Sequence, residues 1–407
     1  MNRMKRLVAL AAAALLLLTG CDLLDKRPGI TREWRMMEKS AVGTTVNLYA
    51  WGGDAGANRW FDETLKPYLA DTYKITLNRV PMNYDEIFEL LAADQELKRS
   101  SGDMDLLWIS GRNLEYAQTS GYLFGPYTDR LPNVNLYLSP KDPELLADRG
   151  VAIEGYAAPL GRRQLGLFYN EDVLYDPPTD LNSLMAAVKA NPGTFTYPRP
   201  EDPAGMAFIQ SVIIGSVGEE TVSKLPPSKE AVAAAIRPGL DYLKALEPYL
   251  WQEGAVYPAN EAELDRLFAN GTLAMAMSWD HNHATRLLAE DRYNPGAKPF
   301  TLASGTVGNT HYLSIPFNAA NKSGAMVVVN AALDVPMQAS KLRPADWGDL
   351  PVLDLGLLPA ESVRTLKKSI SKKTSPKLED LAGHRLPQLS PSLEAIITEL
   401  WYEQIAP

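Results

Sequence analysis

Residues 44–110 read as strand, helix, strand, helix, strand, and that order limits the possible folds more than any other stretch. TTVNLYAW (44–51) is an extended run stopped by Gly52-Gly53, and Asp54 is placed to cap a helix reaching about residue 69. YKITLNRV (73–80) is a second extended run. Asn83 followed three residues later by Glu86 is a capping box, and Ile87, Leu90 and Leu91 make an apolar helical face. MDLLWIS (104–110) is almost continuously apolar, as in a strand covered on both faces. Strands alternating with helices form a parallel sheet in an α/β domain. Ligands of such sheets sit beyond the C-terminal ends of the strands. Those ends carry Trp51, Gly52, Gly53 and Asp54, then Ser110, Arg112 and Asn113, as binding candidates.

The chain has 407 residues, more than one comfortable core. A proline-rich connection (121–150) leads to VAIEGYAAPL (151–160) and QLGLFYN (164–170), which suit passage from one domain to another. A second α/β set follows. Asp180 caps a helix to about residue 190, and residues 194–197 read as a short strand. Further helices are expected near 228–249 and 261–270, then the apolar strand TLAMAMSW (272–279). The loop 198–203 opens a helix whose first turn holds Ala204 and Gly205. Exposed N–H groups there suit an anionic group as well as they suit a plain loop. This makes Arg199 and Asp202 candidates, and Trp279, Asp280 and His281 follow at the strand end. Residues 300–304 look like a return crossing. The first lobe is expected from 44–156 plus 304–334, and the second from 162–298 plus 335–407. A last helix opens at Ser390-Pro391, with Ile396, Ile397, Leu400 and Trp401 on its apolar side.

The front of the chain carries an address. Arg3, Lys5 and Arg6 precede the uncharged run LVALAAAALLLL, and Leu18-Thr19-Gly20-Cys21 closes it. About a dozen apolar residues are too few for a membrane span, which needs about 20. Cys21 is the only cysteine, so no internal disulfide is possible. Leu-Thr-Gly-Cys resembles the bacterial lipobox, which implies a signal peptide over 1–20 and acylation of Cys21. Residues 21–43 then read as a tether. The formal charge is −9, and loss of three basic residues takes the remainder near −12, against nucleic acid as a partner.

Catalysis finds little support: G-x-S-x-G, P-loop, H-E-x-x-H and G-x-G-x-x-G signatures are missing. Asp280-His281-Asn282-His283 places two histidines at i, i+2 beside a carboxylate, but a polar strand-end loop accounts for them. Neither metal nor cofactor is expected. Trp51, Trp108, Tyr169 and Trp279 lie on or beside the expected cleft. Aromatic walls suit sugar faces or a flat cation, although Trp108 within MDLLWIS reads as core.

Taken together, Leu18–Cys21, TTVNLYAWGGD, "AAPLG…QLGLFYN" and "NGTLAMAMSW" resemble the family 1 extracellular solute-binding proteins of bacterial ABC importers, closest to their YnjB-type branch. The pattern covers about residues 44–334. The resemblance implies a two-lobed α/β fold of the periplasmic-binding-protein kind, type 2, with two mixed sheets joined by crossing strands. It implies a binder rather than an enzyme, monomeric and held outside the cytoplasm by lipid. Its partners would be a small-molecule solute, a permease and ATPase subunits. An aromatic pair beside Asp54 and Asp280 suggests a cationic ring, as in thiamine-binding relatives of the superfamily. The alternatives are a lipoprotein hydrolase acting on surface carbohydrate and a ligand sensor without transport.

Overall fold

The computed structural model describes residues 27–370 and 374–406. The signal segment and Cys21 lie outside the described residues. The strands are β1 (Thr45–Ala50), β2 (Thr76–Pro81), β3 (Leu106–Ile109), β4 (Leu123–Phe124), β5 (Ala147–Asp148), β6 (Val151–Ala152), β7 (Ala157–Gln164), β8 (Gly166–Asn170), β9 (Met275–Ser278), β10 (Ala297–Phe300), β11 (Thr306–Pro316) and β12 (Arg385–Pro387).

One sheet runs β12-β11-β3-β1-β2, with β7 and β4 also on β11. It is mixed: β1 lies parallel to β2 and β3, while β11 is antiparallel to β3 and β7. The other sheet, β10-β8-β9, is antiparallel throughout. Each sheet has its own apolar core. The chain passes between sheets at Leu165 and again between Phe300 and Thr306. The first passage comes later than the expected 157–161, because β7 stays paired with β11 as far as Gln164, opposite Gly308.

Local signals explain many elements. The helix Tyr84–Glu96 has the Asn83/Glu86 capping box and buries Ile87, Phe88 and Leu91. The helix Pro391–Gln404 starts at Ser390, whose hydroxyl accepts from Leu393 N at 3.4 Å. Leu393, Ile397, Leu400 and Trp401 enter the second core, and Ile396 only edges it. Residues 194–197 form no strand, although Phe195, Thr196 and Tyr197 are buried.

Two stretches lie elsewhere than the sequence suggests. Arg32–Ala41 is a helix, not tether: Thr31 caps it, and Trp34, Met37 and Ala41 join the first core at i, i+3, i+7 spacing. The segment from Met337 to Leu381 also fills the first core rather than the second. Buried Gln338 fixes it there. Its amide donates to Leu160 O at 3.0 Å and Ala332 O at 2.9 Å, and its carbonyl accepts from Val352 N at 3.0 Å. A buried amide so satisfied locks one arrangement, because leaving it unpaired costs about 1–3 kcal/mol.

Candidate functional site

The ends of β1, β7 and β9 converge where the chain changes sheets. Ser278 lies opposite Gly166, so the residues after β9 sit at the start of β8. A Cβ on Gly166 would come within 2.8 Å of His281 Cα, so only glycine permits this approach. On the first-lobe side, Asp54 caps the helix Ala55–Arg59, accepting from Ala57 N at 2.9 Å. Its other oxygen accepts from Arg163, near the end of β7, and from Trp347 Nε1 at 3.3 Å. On the second-lobe side, Asp280 accepts from Asn282 N at 2.8 Å and pairs with Arg286. Residues 280–286 also reach first-lobe chain. Asn282 Nδ2 donates to Gly348 O at 2.9 Å, and Asn282 Oδ1 accepts from Ser375 Oγ at 2.6 Å.

Beneath this lies a buried polar chain. Trp108 Nε1 donates to His311 Nδ1 at 2.8 Å, and His311 Nε2 faces Asp349 Oδ1 at 3.0 Å. An indole nitrogen can only donate, so His311 carries its proton on Nε2 and is neutral. Asp349 Oδ2 accepts from Lys341 Nζ at 2.8 Å, and Lys341 also donates to Leu350 O at 2.6 Å. Both charged side chains are 0% exposed. Burial works against Asp349's charge, but His311 and Lys341 outweigh it and hold the carboxyl at about 2.

The same balance sets the neighbouring charges. Burial opposes the charge of Arg163, yet Asp54, Asp280, Asp349 and Glu261 together raise its pKa. Burial would raise Asp280, but Arg286, His281 and Arg163 bring it below the usual carboxylate value. Burial takes the ring of His281 down to about 4 despite Asp280 and Asp349, so it is neutral at pH 7.

The structure brings together Asp54, Asp280 and His281 from the sequence candidates, with Trp279 beside them. Trp51 is 48% exposed, and its ring folds over Gly53. Gly52 gives its carbonyl to Asn58 Nδ2 at 2.7 Å. Ser110 is half-buried at the end of β3. Arg112 and Asn113 line a groove of first-lobe residues with Asp85, Phe88 and Tyr116. Tyr169 lies opposite Met275, three residues back from Ser278, so it sits at the end of the second sheet away from Trp279. Arg199 is exposed.

Asp202 has a structural assignment. Its Oδ1 accepts from Ala204 N at 2.8 Å and Gly205 N at 3.4 Å, the N–H groups that suited an outside anion. Its Oδ2 accepts from Glu261 N at 2.9 Å, and Glu261 in turn holds Trp279 N at 2.9 Å. One carboxylate caps two helices and steadies the end of β9. Asp202→Ala is expected to cost about 1–2 kcal/mol, read as a lower urea midpoint at unchanged slope.

Sequence reasoning missed Arg163, Arg286, His311, Lys341, Trp347 and Asp349. Gly161-Arg162-Arg163 in the crossover was the one local hint, since two adjacent arginines in a strand passing between cores need acids nearby.

A family profile described as "Bacterial extracellular solute-binding protein" matches residues 63–354. Protein YnjB of Escherichia coli (strain K12) is 32% identical over 351 residues, covering 86% of this chain and 89% of that protein. Among solved structures, an ABC transporter protein from Clostridium perfringens aligns with TM-score 0.60 at 15% identity, over 88% of this chain and 99% of that one. The spermidine/putrescine ABC transporter substrate-binding protein PotD of Streptococcus pneumoniae aligns with TM-score 0.59 at 13% identity, over 88% and 98%. The two sheets with their paired crossings are the two-lobed architecture of these neighbours. The chain belongs to the bacterial extracellular solute-binding proteins, the solute-binding components of ABC transporters.

Proposed function

We propose that the chain captures a small, positively charged organic solute between its lobes and delivers it to a permease. Acylated Cys21 holds it at the membrane surface outside the cytoplasm. The observation that carries the solute class is the acid excess around Arg163: Asp54, Asp280, Asp349 and Glu261 all act on that guanidinium. Arg286 on Asp280, Lys341 on Asp349 and His283 beside Glu261 are the other cations paired into this set, and Asp265 on His283 is a fifth acid. A cationic solute draws on the surplus, with the half-exposed indole of Trp51 and the partly exposed one of Trp279 as stacking surfaces. Lobe closure then follows from tighter contact in the closed state.

The test is a tryptophan-fluorescence titration of thiamine, spermidine and a neutral oligosaccharide against wild type, Trp279→Ala and Asp280→Asn. A cation is expected to bind, and Trp279→Ala to weaken it roughly 2- to 30-fold through lost cation–π contact. Asp280→Asn should weaken the cation far more than the sugar. Tight sugar binding indifferent to Asp280→Asn would overturn the cationic class and leave solute capture standing. For the anchor, Cys21→Ala is expected to move the protein from the membrane fraction to the soluble one. A wild type that takes up no labelled fatty acid would refute the anchor.

A further inference from the structure

Beside the interlobe contacts, the second lobe carries a second cluster with a different chemistry. Glu261 and Asp265 stand one turn apart on the helix Glu261–Ala269, so both face the same side. His283 opens the helix that follows β9 and points its ring between them. Its Nε2 lies 2.6 Å from Asp265 Oδ2, and its Nδ1 lies 3.6 Å from Glu261 Oε1. One donor atom from each of the three falls within 4.8 Å of the others. We infer that Glu261, Asp265 and His283 form a binding site for a divalent transition-metal ion of the zinc class.

The donor set suits such an ion. Zinc bonds of about 2.0–2.2 Å to nitrogen and carboxylate oxygen hold tetrahedral donors roughly 3.3 Å apart. A single ion takes one nitrogen of His283, so the ring, whose Nε2 now faces Asp265 and whose Nδ1 faces Glu261, has to turn until one nitrogen meets both carboxylates at that spacing. One imidazole with two carboxylates selects a transition ion over magnesium or calcium, which prefer all-oxygen shells. Three protein ligands leave one position for water or a further donor.

The surroundings are the second observation. Each carboxylate is held from outside the cluster by groups that are not themselves candidate ligands. Ser278 Oγ donates to Glu261 Oε1 at 2.6 Å and Trp279 N donates to Oε2 at 2.9 Å. The Tyr293 hydroxyl donates to Asp265 Oδ1, and the Tyr293 ring stands edge-on to His283 with centroids 6.0 Å apart. Outer groups of this kind orient ligands and typically change metal affinity 10- to 100-fold when removed. The side chains of Glu261, Asp265 and His283 are 24%, 14% and 13% exposed, so an ion has a way in. The rival arrangement is a closed clamp in which a protonated His283 bridges the two acids and no ion enters.

Glu261 also belongs to the acid set around Arg163, but the test of this site uses no solute. The full chain, stripped with EDTA, is titrated with zinc chloride by calorimetry and with cobalt chloride by visible absorption. One saturable ion per chain is expected, with a cobalt band from a mixed nitrogen and oxygen shell. His283→Ala and Asp265→Asn should each weaken zinc at least tenfold, and Tyr293→Phe about tenfold, because it loses an outer group and keeps every ligand. If His283→Ala fails to fold, judged by circular dichroism, Tyr293→Phe carries the decision. Absence of saturable zinc binding by the wild type overturns the site. So does zinc binding by folded His283→Ala, or by Tyr293→Phe in its place, that is as tight as wild type.

Discussion

Asp349→Ala is expected to lower stability by about 3–5 kcal/mol, because it removes the only carboxylate partner, among the described residues, of a lysine with no exposed surface. Lys341 Nζ would keep the Leu350 carbonyl, 2.6 Å away, which shares a hydrogen bond but does not neutralise its charge. His311 would lose the acceptor of its Nε2 proton while Trp108 still occupies Nδ1. The expected readout is a lower urea midpoint and a lower melting temperature. A drop below about 1 kcal/mol would show that Lys341 discharges or reaches water at little cost. The same group gives a pH dependence. Asp349 titrates at about 2 when folded, below the ordinary aspartate value of about 3.9. Its contribution is therefore complete above the unfolded value and is lost as pH falls from about 4 to 2, by about 2 kcal/mol. Asp349→Ala should flatten that part of the acid unfolding profile.

Gly161→Ala should be comparably severe, through a different route. Gly161 lies on β7 opposite His311, against the Asp349 carboxylate. An added Cβ would penetrate Asp349 Oδ2 and come within 2.7 Å of the His311 ring. Neither group can retreat, since each is bonded on its far side, Asp349 to Lys341 and His311 to Trp108. A loss of at least about 3 kcal/mol is expected, the range of overpacking compounded by a disturbed buried ion pair. The two substitutions share a cause, so they should not add. In an Asp349→Ala background the added methyl meets only the imidazole, and its cost should fall by about 1 kcal/mol or more. Strict additivity would mean that Gly161 is required for backbone reasons unrelated to Asp349.

What could be read from the sequence was local. Asn83 with Glu86, and Ser390 before Pro391, announce helix starts by chemistry within a few residues, and both helices are present. The strand-end rule put Asp54, Trp279, Asp280 and His281 just past strand ends, where they lie, because a run of apolar residues shows where a strand stops. It misplaced Tyr169, since which end of β8 faces the site depends on its antiparallel register with β9. Arg163 with Asp54 and Trp347 with Asp54 join positions far apart in the chain, and no spacing rule reaches across such intervals. Trp34, Met37 and Ala41 did carry a helical period, hidden among the charges of a stretch read as tether. The segment from Met337 to Leu381 resisted for another reason: prolines break it into pieces too short to show which core they fill.

Capture of a solute by closure of two lobes is tested most directly by an interlobe distance. Cys21 is the only cysteine, so a chain with Cys21→Ala provides a background free of other thiols. Lys66→Cys on a helix of the first lobe and Lys244→Cys on a helix of the second place spin labels at exposed positions beside each core. Pulsed electron resonance then reads the distance with and without the cation that binds in the fluorescence titration. The account predicts that saturating solute narrows the distribution and shortens its mean. A solute that binds saturably and leaves the distribution unchanged would contradict capture by closure.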